Sequence, residues 1–170
     1  MKDCRYGLYM GAVFLPLIVL SQAVFPSTRS DDEAGPLILG VYLATFLYYG
    51  ATGFWGARQS GRARDGIRMG ALTALVGMGL VIATFAAVDN IFLDTVSKQV
   101  DKIRGFQIHH SDFASMRAYI NWGLLGGALF VLPALVMIGA ALGGIGGVLA
   151  SRSGRTRTRM NRPTFQRSDF

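Results

Sequence analysis

Apolar residues gather in four long runs, separated by shorter polar stretches, at about residues 7–25, 37–57, 69–88 and 119–149. A helix of about 20 apolar residues crosses roughly 30 Å of hydrocarbon, so each run is long enough to span a bilayer. Lipid offers the backbone no hydrogen-bond partner, so each span should be a helix. The pattern predicts an all-α polytopic membrane protein, a four-transmembrane-helix bundle over residues 1–150, followed by a basic tail, 151–170. The fourth run covers about 31 residues, more than one crossing needs. It should tilt, bend at Pro133 or project from the bilayer.

Between the third and fourth runs lies the longest polar stretch, 89–117. Phe92, Val96, Val100 and Ile103 fall on one helical stripe, with Asp94, Lys98, Asp101 and Lys102 off it. Asp94 and Lys98 can pair at i, i+4. The third helix is expected to continue outward or to turn into a short amphipathic helix that stops at Gly105. Ser111 or Asp112 is expected to cap the next helix. The stripe would meet lipid or a partner protein.

Composition sharpens this reading. The chain has 170 residues, of which 51% are hydrophobic and 16% charged; an average soluble domain is about 25% charged. The net charge of +7 would suit nucleic acid, but its placement argues for membrane topology instead. With both termini cytoplasmic, the inner segments carry 12 Lys and Arg residues and the outer segments five. That bias is the one that orients membrane proteins. The basic loop Arg58–Arg68 and the tail lack the interleaved aromatics that stack on bases, so anionic lipid is their expected partner and nucleic acid is not. The start of the chain has a second reading. Lys2 and Arg5, an apolar core and Ser21-Gln22-Ala23 resemble a cleavable signal peptide, which would leave three spans in the same orientation. Cys4, the single cysteine, is expected to be a free thiol near the cytoplasmic interface.

The fourth run carries a ladder, Gly139, Gly143 and Gly147, whose spacing puts all three on one helix face. Such a face lets another backbone approach closely, in this chain or in a partner. Gly123 and Gly127 open the same run, Gly50, Gly53 and Gly56 mark the second, and Gly70, Ala74 and Gly77 mark the third. Phe46, Tyr48, Tyr49, Phe54 and Trp55 cluster on the second run. They read as interface anchors, with a pigment or quinone pocket as the sharper alternative.

Candidate chemistry is sparse. His109 and His110 are the only histidines, and they are weak candidates for a metal or haem, since no cysteine or glutamate stands near them. Asp89 and Asn90 lie at the outer end of the third run, where interface anchoring is the plain reading and a functional role the sharper one. No charged residue or histidine falls in the middle of any run. Ion-coupled carriers place such groups at midplane, so transport by this chain alone is disfavoured, although a pore between copies is not. GxSxG, HExxH, P-loop and CxxC motifs are absent from the sequence. No cofactor is expected.

The stretches VDNIFLDTVSKQVDKIRGF (88–106) and MRAYINWGLLGGALF (116–130) resemble small uncharacterised four-helix integral membrane proteins of bacteria. The resemblance implies a bacterial inner (plasma) membrane location and carries no activity. The leading functional expectation is a non-catalytic structural or accessory subunit of a larger membrane complex, bound to other membrane subunits or to itself. A homo-oligomeric channel or small-solute permease is the alternative. A membrane redox or metal-binding component using His109 and His110 comes third.

Overall fold

A computed structural model describes residues 4–24, 31–109 and 112–160, with side chains for 4–22, 35–109 and 112–153. Helix α1 covers Arg5–Val19 and runs on through a π-helical stretch, Leu20–Val24. Helices α2 (Asp31–Ser60) and α3 (Ala63–Ile91) form a hairpin. Two short helices follow, α4 (Leu93–Val96) and α5 (Val100–Ile108). Helix α6 (Met116–Gly126) passes through a π-helical turn, Gly127–Val131, into α7 (Leu132–Met160). No strand occurs among the described residues.

Three segments are long and apolar enough to cross a membrane: Gly35–Ser60, Ala63–Ile91 and Met116–Ser153. Large apolar side chains point outward along them, with Leu37, Leu47 and Phe130 each about three-quarters exposed. Hydrocarbon can cover such a surface; water would penalise it.

The helices outrun the apolar patterns. α2 begins at Asp31, ahead of Pro36, so the acidic stretch Asp31–Glu33 is helical rather than a loop. The basic loop shrinks to Gly61 and Arg62, leaving Arg58 on α2 and Arg64 and Arg68 on α3. Gly61 makes the reversal possible. Its φ is +73°, its N–H donates to Ala57 O at 2.8 Å, and Ser60 Oγ accepts from Arg62 N at 3.2 Å. Such a left-handed residue closes a helix end that side chains with a Cβ resist.

The segment after α3 departs from a single stripe. α3 ends at Ile91 with Phe92 as its C-cap, and α4 and α5 are separated at Gln99, whose ψ of 136° is extended. Phe92 and Val96 therefore belong to one turn, and Val100 and Ile103 to another helix. Only Val96 of the four is fully buried. α5 runs through Gly105 to Ile108. Ser115 caps α6, its Oγ accepting from Ala118 N at 3.2 Å. Asp112 lies ahead of that cap, and Ser111 lies outside the described residues.

The long fourth segment changes pitch beside Pro133. Leu132 N–H donates to Gly127 O, five residues back. Proline has no N–H to give and its ring crowds the carbonyl four residues earlier. A wider turn takes up that mismatch without ending the helix.

α3 is the centre of the bundle and packs against α1, α2 and α7. α1 runs parallel to it, Gly7 facing Val76 and Gly11 facing Leu80. α2 and α7 run antiparallel to it, Gly56 facing Met69 and Gly139 facing Ala74. Met10, Tyr49 and Ala74 make one core cluster; Ile18, Val81 and Val88 make another nearer the α4–α5 end.

Candidate functional site

Two regions concentrate the unusual chemistry, a glycine junction inside the bundle and a polar cap at its α4–α5 end. At the junction, α7 presents Gly139, Gly143 and Gly147 to α3. A Cβ on Gly143 would strike the Gly66 carbonyl oxygen and sit 2.9 Å from Gly70 Cα. One on Gly147 would lie 2.5 Å from Ala63 O, and one on Gly139 2.7 Å from the Ala74 Cβ. α3 thus answers the ladder with its own small residues, Ala63, Gly66, Gly70 and Ala74. α2 enters from the other side: a Cβ on Gly53 would meet Gly143 Cα, and one on Gly146 would meet Gly50 O. Three backbones meet where Gly53, Gly66 and Gly143 converge. The partner of the ladder is therefore within the chain. Gly123 and Gly127 differ. A Cβ on either would meet nothing within 4 Å, so neither takes part in packing inside the chain.

A further close approach carries a signal that the sequence reading passed over. Gly7 and Gly11 stand four apart in α1, and Cβ atoms there would crowd Val76 Cβ at 2.6 Å and Leu80 Cδ1 at 2.5 Å. The GxxxG spacing in the first run was the clue.

The aromatics of α2 divide. Tyr48 Oη donates to Tyr6 O at 2.9 Å, and Trp55 stacks on Tyr6 with ring centres 6.4 Å apart. These two tie α1 to α2. Tyr49 is no interface anchor: it is fully buried, and its hydroxyl, like that of Thr73, has no partner. An apolar cavity of about 550 Å³ lies among α1, α2 and α3. Its hydroxyls at Ser21 and Thr45 bond back to Ile18 O and Val41 O, within their own helices.

The polar cap is fastened to the bundle by three side-chain pairs. Gln99 Nε2 donates to Gln22 Oε1 at 2.8 Å, joining the end of α1 to the start of α5. Asn90 Nδ2 donates to Asn121 Oδ1 at 2.8 Å, and Asn121 Nδ2 returns a bond at 3.4 Å, joining α3 to α6. Lys102 Nζ stands 3.9 Å from Asp89 Oδ2, joining α3 to α5. Asp89 is 1% exposed, and its Oδ1 has no partner. A buried carboxylate is costly unless compensated, and Lys102 is the compensating charge. These pairs are separated by 31, 77 and 13 residues, so no local periodicity announces them.

Above this layer the rings of α5 and α6 pack on one another. Tyr119 is central: His109 stacks on it at 6.2 Å, Phe106 lies 6.0 Å away, and Phe113 meets it edge-on at 5.5 Å. Gly105 is the slot for its hydroxyl, since a Cβ there would collide with Tyr119 Oη. That contact, rather than a helix stop, explains the glycine. His109 Nδ1 donates to Gly105 O at 3.0 Å. Among the described residues, no three of His, Cys, Asp and Glu are grouped to hold a metal; His110 lies outside those residues. Beside the rings opens a cavity of about 780 Å³, lined by Lys102, His109, Asp112, Phe113, Tyr119, Ile120 and the next turn of α6.

No family model matches the chain, and neither a curated protein nor a solved structure matches it.

Proposed function

We propose that the chain is a four-span protein of a bacterial inner membrane, with both termini cytoplasmic, and that it serves as a non-catalytic accessory subunit of a larger membrane complex. The direction of the helices supports the span count: α1 and α3 run one way and α2 and α7 the other. On this reading α1, with its π-helical extension, crosses as the fourth span. The distribution of 12 inner against five outer basic residues supports the orientation.

One observation carries the accessory role. α2, α3 and α7 touch backbone to backbone at Gly53, Gly66 and Gly143, which leaves no room for a pore between these three helices. The charged and amide side chains of the cap pair with each other rather than converge on a reactive centre. What this leaves for function is surface. The exposed apolar face of α6 and its turn, with Trp122 and Phe130 outward and Gly123 and Gly127 uncovered, is open to a neighbouring subunit.

Affinity purification at native level in mild detergent tests the proposal, with masses taken of the intact assembly and its components. Stoichiometric foreign subunits support it. A pure homo-oligomer overturns it in favour of a channel or permease formed between copies, which liposome flux would then measure.

A further inference from the structure

α1 leans on α3, and the space it leaves beside α2 is an apolar slot with α3 as its floor. Two cavities make it up. One, of about 320 Å³, is walled by Tyr9, Val13 and Leu17 of α1 and by Val41, Ala44 and Tyr48 of α2. The other is the 550 Å³ cavity, which reaches Ser21 on α1 and Leu37 on α2 and has Met78, Val81 and Phe85 of α3 beneath it. Phe14, Leu17, Val41 and Thr45 line both, so the two are continuous. Because α1 and α2 run antiparallel, the order of the walls is fixed: Tyr9 and Tyr48 stand at one end, Ser21 and Leu37 at the other. From Tyr9 to Ser21 is about 18 Å of helix. That is slightly more than one leaflet of a hydrocarbon core roughly 30 Å thick. Among the described residues, no charged side chain lines either cavity.

The Tyr9 end leads to arginines through a collar of rings. Tyr9 meets Tyr6 edge-on at 6.4 Å, and Trp55 stacks on the same Tyr6. Tyr48 Oη fixes this end by donating to Tyr6 O. Arg5 lies over the Tyr6 ring, 4.8 Å from its centre, and spends one N–H on Tyr6 Oη at 2.9 Å. A guanidinium has five N–H donors, so one bond does not exhaust it. Arg58 follows Trp55 by one turn, in the last turn of α2. Arg5 and Arg58 are both exposed. Around the α2–α3 turn, Arg62, Arg64 and Arg68 add to them, and Asp65 is the one described acid. Tyrosine and tryptophan rings favour the level where headgroups meet chains, and arginine favours phosphate.

The size of the slot decides between a helix and a chain. About 18 Å of helix some 10 Å wide would occupy roughly 1,400 Å³. Cavities of 550 and 320 Å³ fall short of that even together. A single acyl chain is the narrower occupant, and apolar walls suit it. We propose that the slot between α1 and α2 holds one acyl chain of an anionic phospholipid, with its phosphate at Arg5 and Arg58. The ester region lies at the Tyr6, Tyr9 and Trp55 collar, and the chain runs inward towards Ser21 and Leu37. The proposal rests on the reading that α1 crosses the membrane from a cytoplasmic start, and on nothing about the chain's partners.

The test uses the full chain in vesicles of equal parts phosphatidylglycerol, phosphatidylethanolamine and phosphatidylcholine. Lipid retained after mild detergent extraction is identified by native mass spectrometry. Phosphatidylglycerol should be enriched about tenfold over phosphatidylcholine, given two arginines at the headgroup. Arg5→Gln with Arg58→Gln should bring the two near parity. Arg64→Gln with Arg68→Gln removes the same charge from the face of α3 that carries exposed Leu75, and should leave the enrichment in place. Ala44→Trp puts a large ring into the slot from an exposed position, and should lower retention of every lipid at unchanged helicity. Phosphatidylglycerol with a photoreactive group midway along one chain should label segments 9–21 and 37–48. Equal retention of the three lipids by the unaltered chain overturns the headgroup assignment. Equal loss in the two arginine pairs also overturns it, since general leaflet charge would then explain the preference. Labelling confined to α6 and α7, or full retention by Ala44→Trp, overturns the slot. Failure to insert into vesicles would remove the membrane reading with it, whereas insertion without selectivity removes this proposal alone.

Discussion

Gly143 of α7 and Gly66 of α3 meet backbone to backbone: the direction in which a Gly143 Cβ would project is filled by the Gly66 carbonyl oxygen. Neither residue can gain a side chain unless two helices move apart. Helices in lipid lack a strong hydrophobic drive to associate, so dispersion contacts at such short range carry much of their adhesion.

Gly143→Leu should therefore destabilise the chain by about 1–3 kcal/mol or more, as overpacking does. The thermal midpoint in detergent would fall by several degrees, while Gly123→Leu, at an open position, would leave it unchanged. Equal midpoints for the two variants would contradict the convergence of α2, α3 and α7 at this glycine.

Lys102→Met removes the ammonium that stands 3.9 Å from a carboxylate that is 1% exposed. The expected cost is about 1–3 kcal/mol, reduced from that of a fully buried pair because Lys102 is one-third exposed. Adding Asp89→Asn should restore most of the loss, since no charge is then stranded. Chemical denaturation in detergent would measure both. Additive losses in the double variant would show that the two groups act independently.

Gly61 holds a φ of +73° between α2 and α3. Gly61→Ala places a Cβ in a left-handed conformation and should cost about 1–2 kcal/mol, with Gly61→Asn costing less. Comparison of their unfolding midpoints checks this. A stabilised alanine variant would mean that the hairpin can turn another way.

The cytoplasmic tail follows from the proposed orientation. Thr158→Cys in a Cys4→Ser background should stay unlabelled when intact cells meet a membrane-impermeant thiol reagent, and should label once the cells are permeabilised. Labelling of intact cells would invert the topology.

Much of the architecture was legible because its causes are local. Hydrocarbon imposes a length and a helical backbone on every apolar run, and the runs that contain α2, α3 and the α6–α7 segment could be read from length and hydropathy alone. The ladder at Gly139, Gly143 and Gly147 was readable as a close-packing face for the same reason, since helical periodicity fixes which residues share a side.

What met that face was a different matter. Gly66, Gly70 and Ala74 complement the ladder only because α3 and α7 run antiparallel in one register, and Gly53 joins them only because α2 folds back at Gly61. Asp89 with Lys102, Gln22 with Gln99 and Tyr119 in the slot at Gly105 are likewise pairs across elements. Periodicity reports the face a residue occupies and is silent on what lies opposite. The chain's own sequence determined its helices and their membrane length; the packing of those helices decided which glycines are filled, which stay open, and where the buried carboxylate finds its counter-charge.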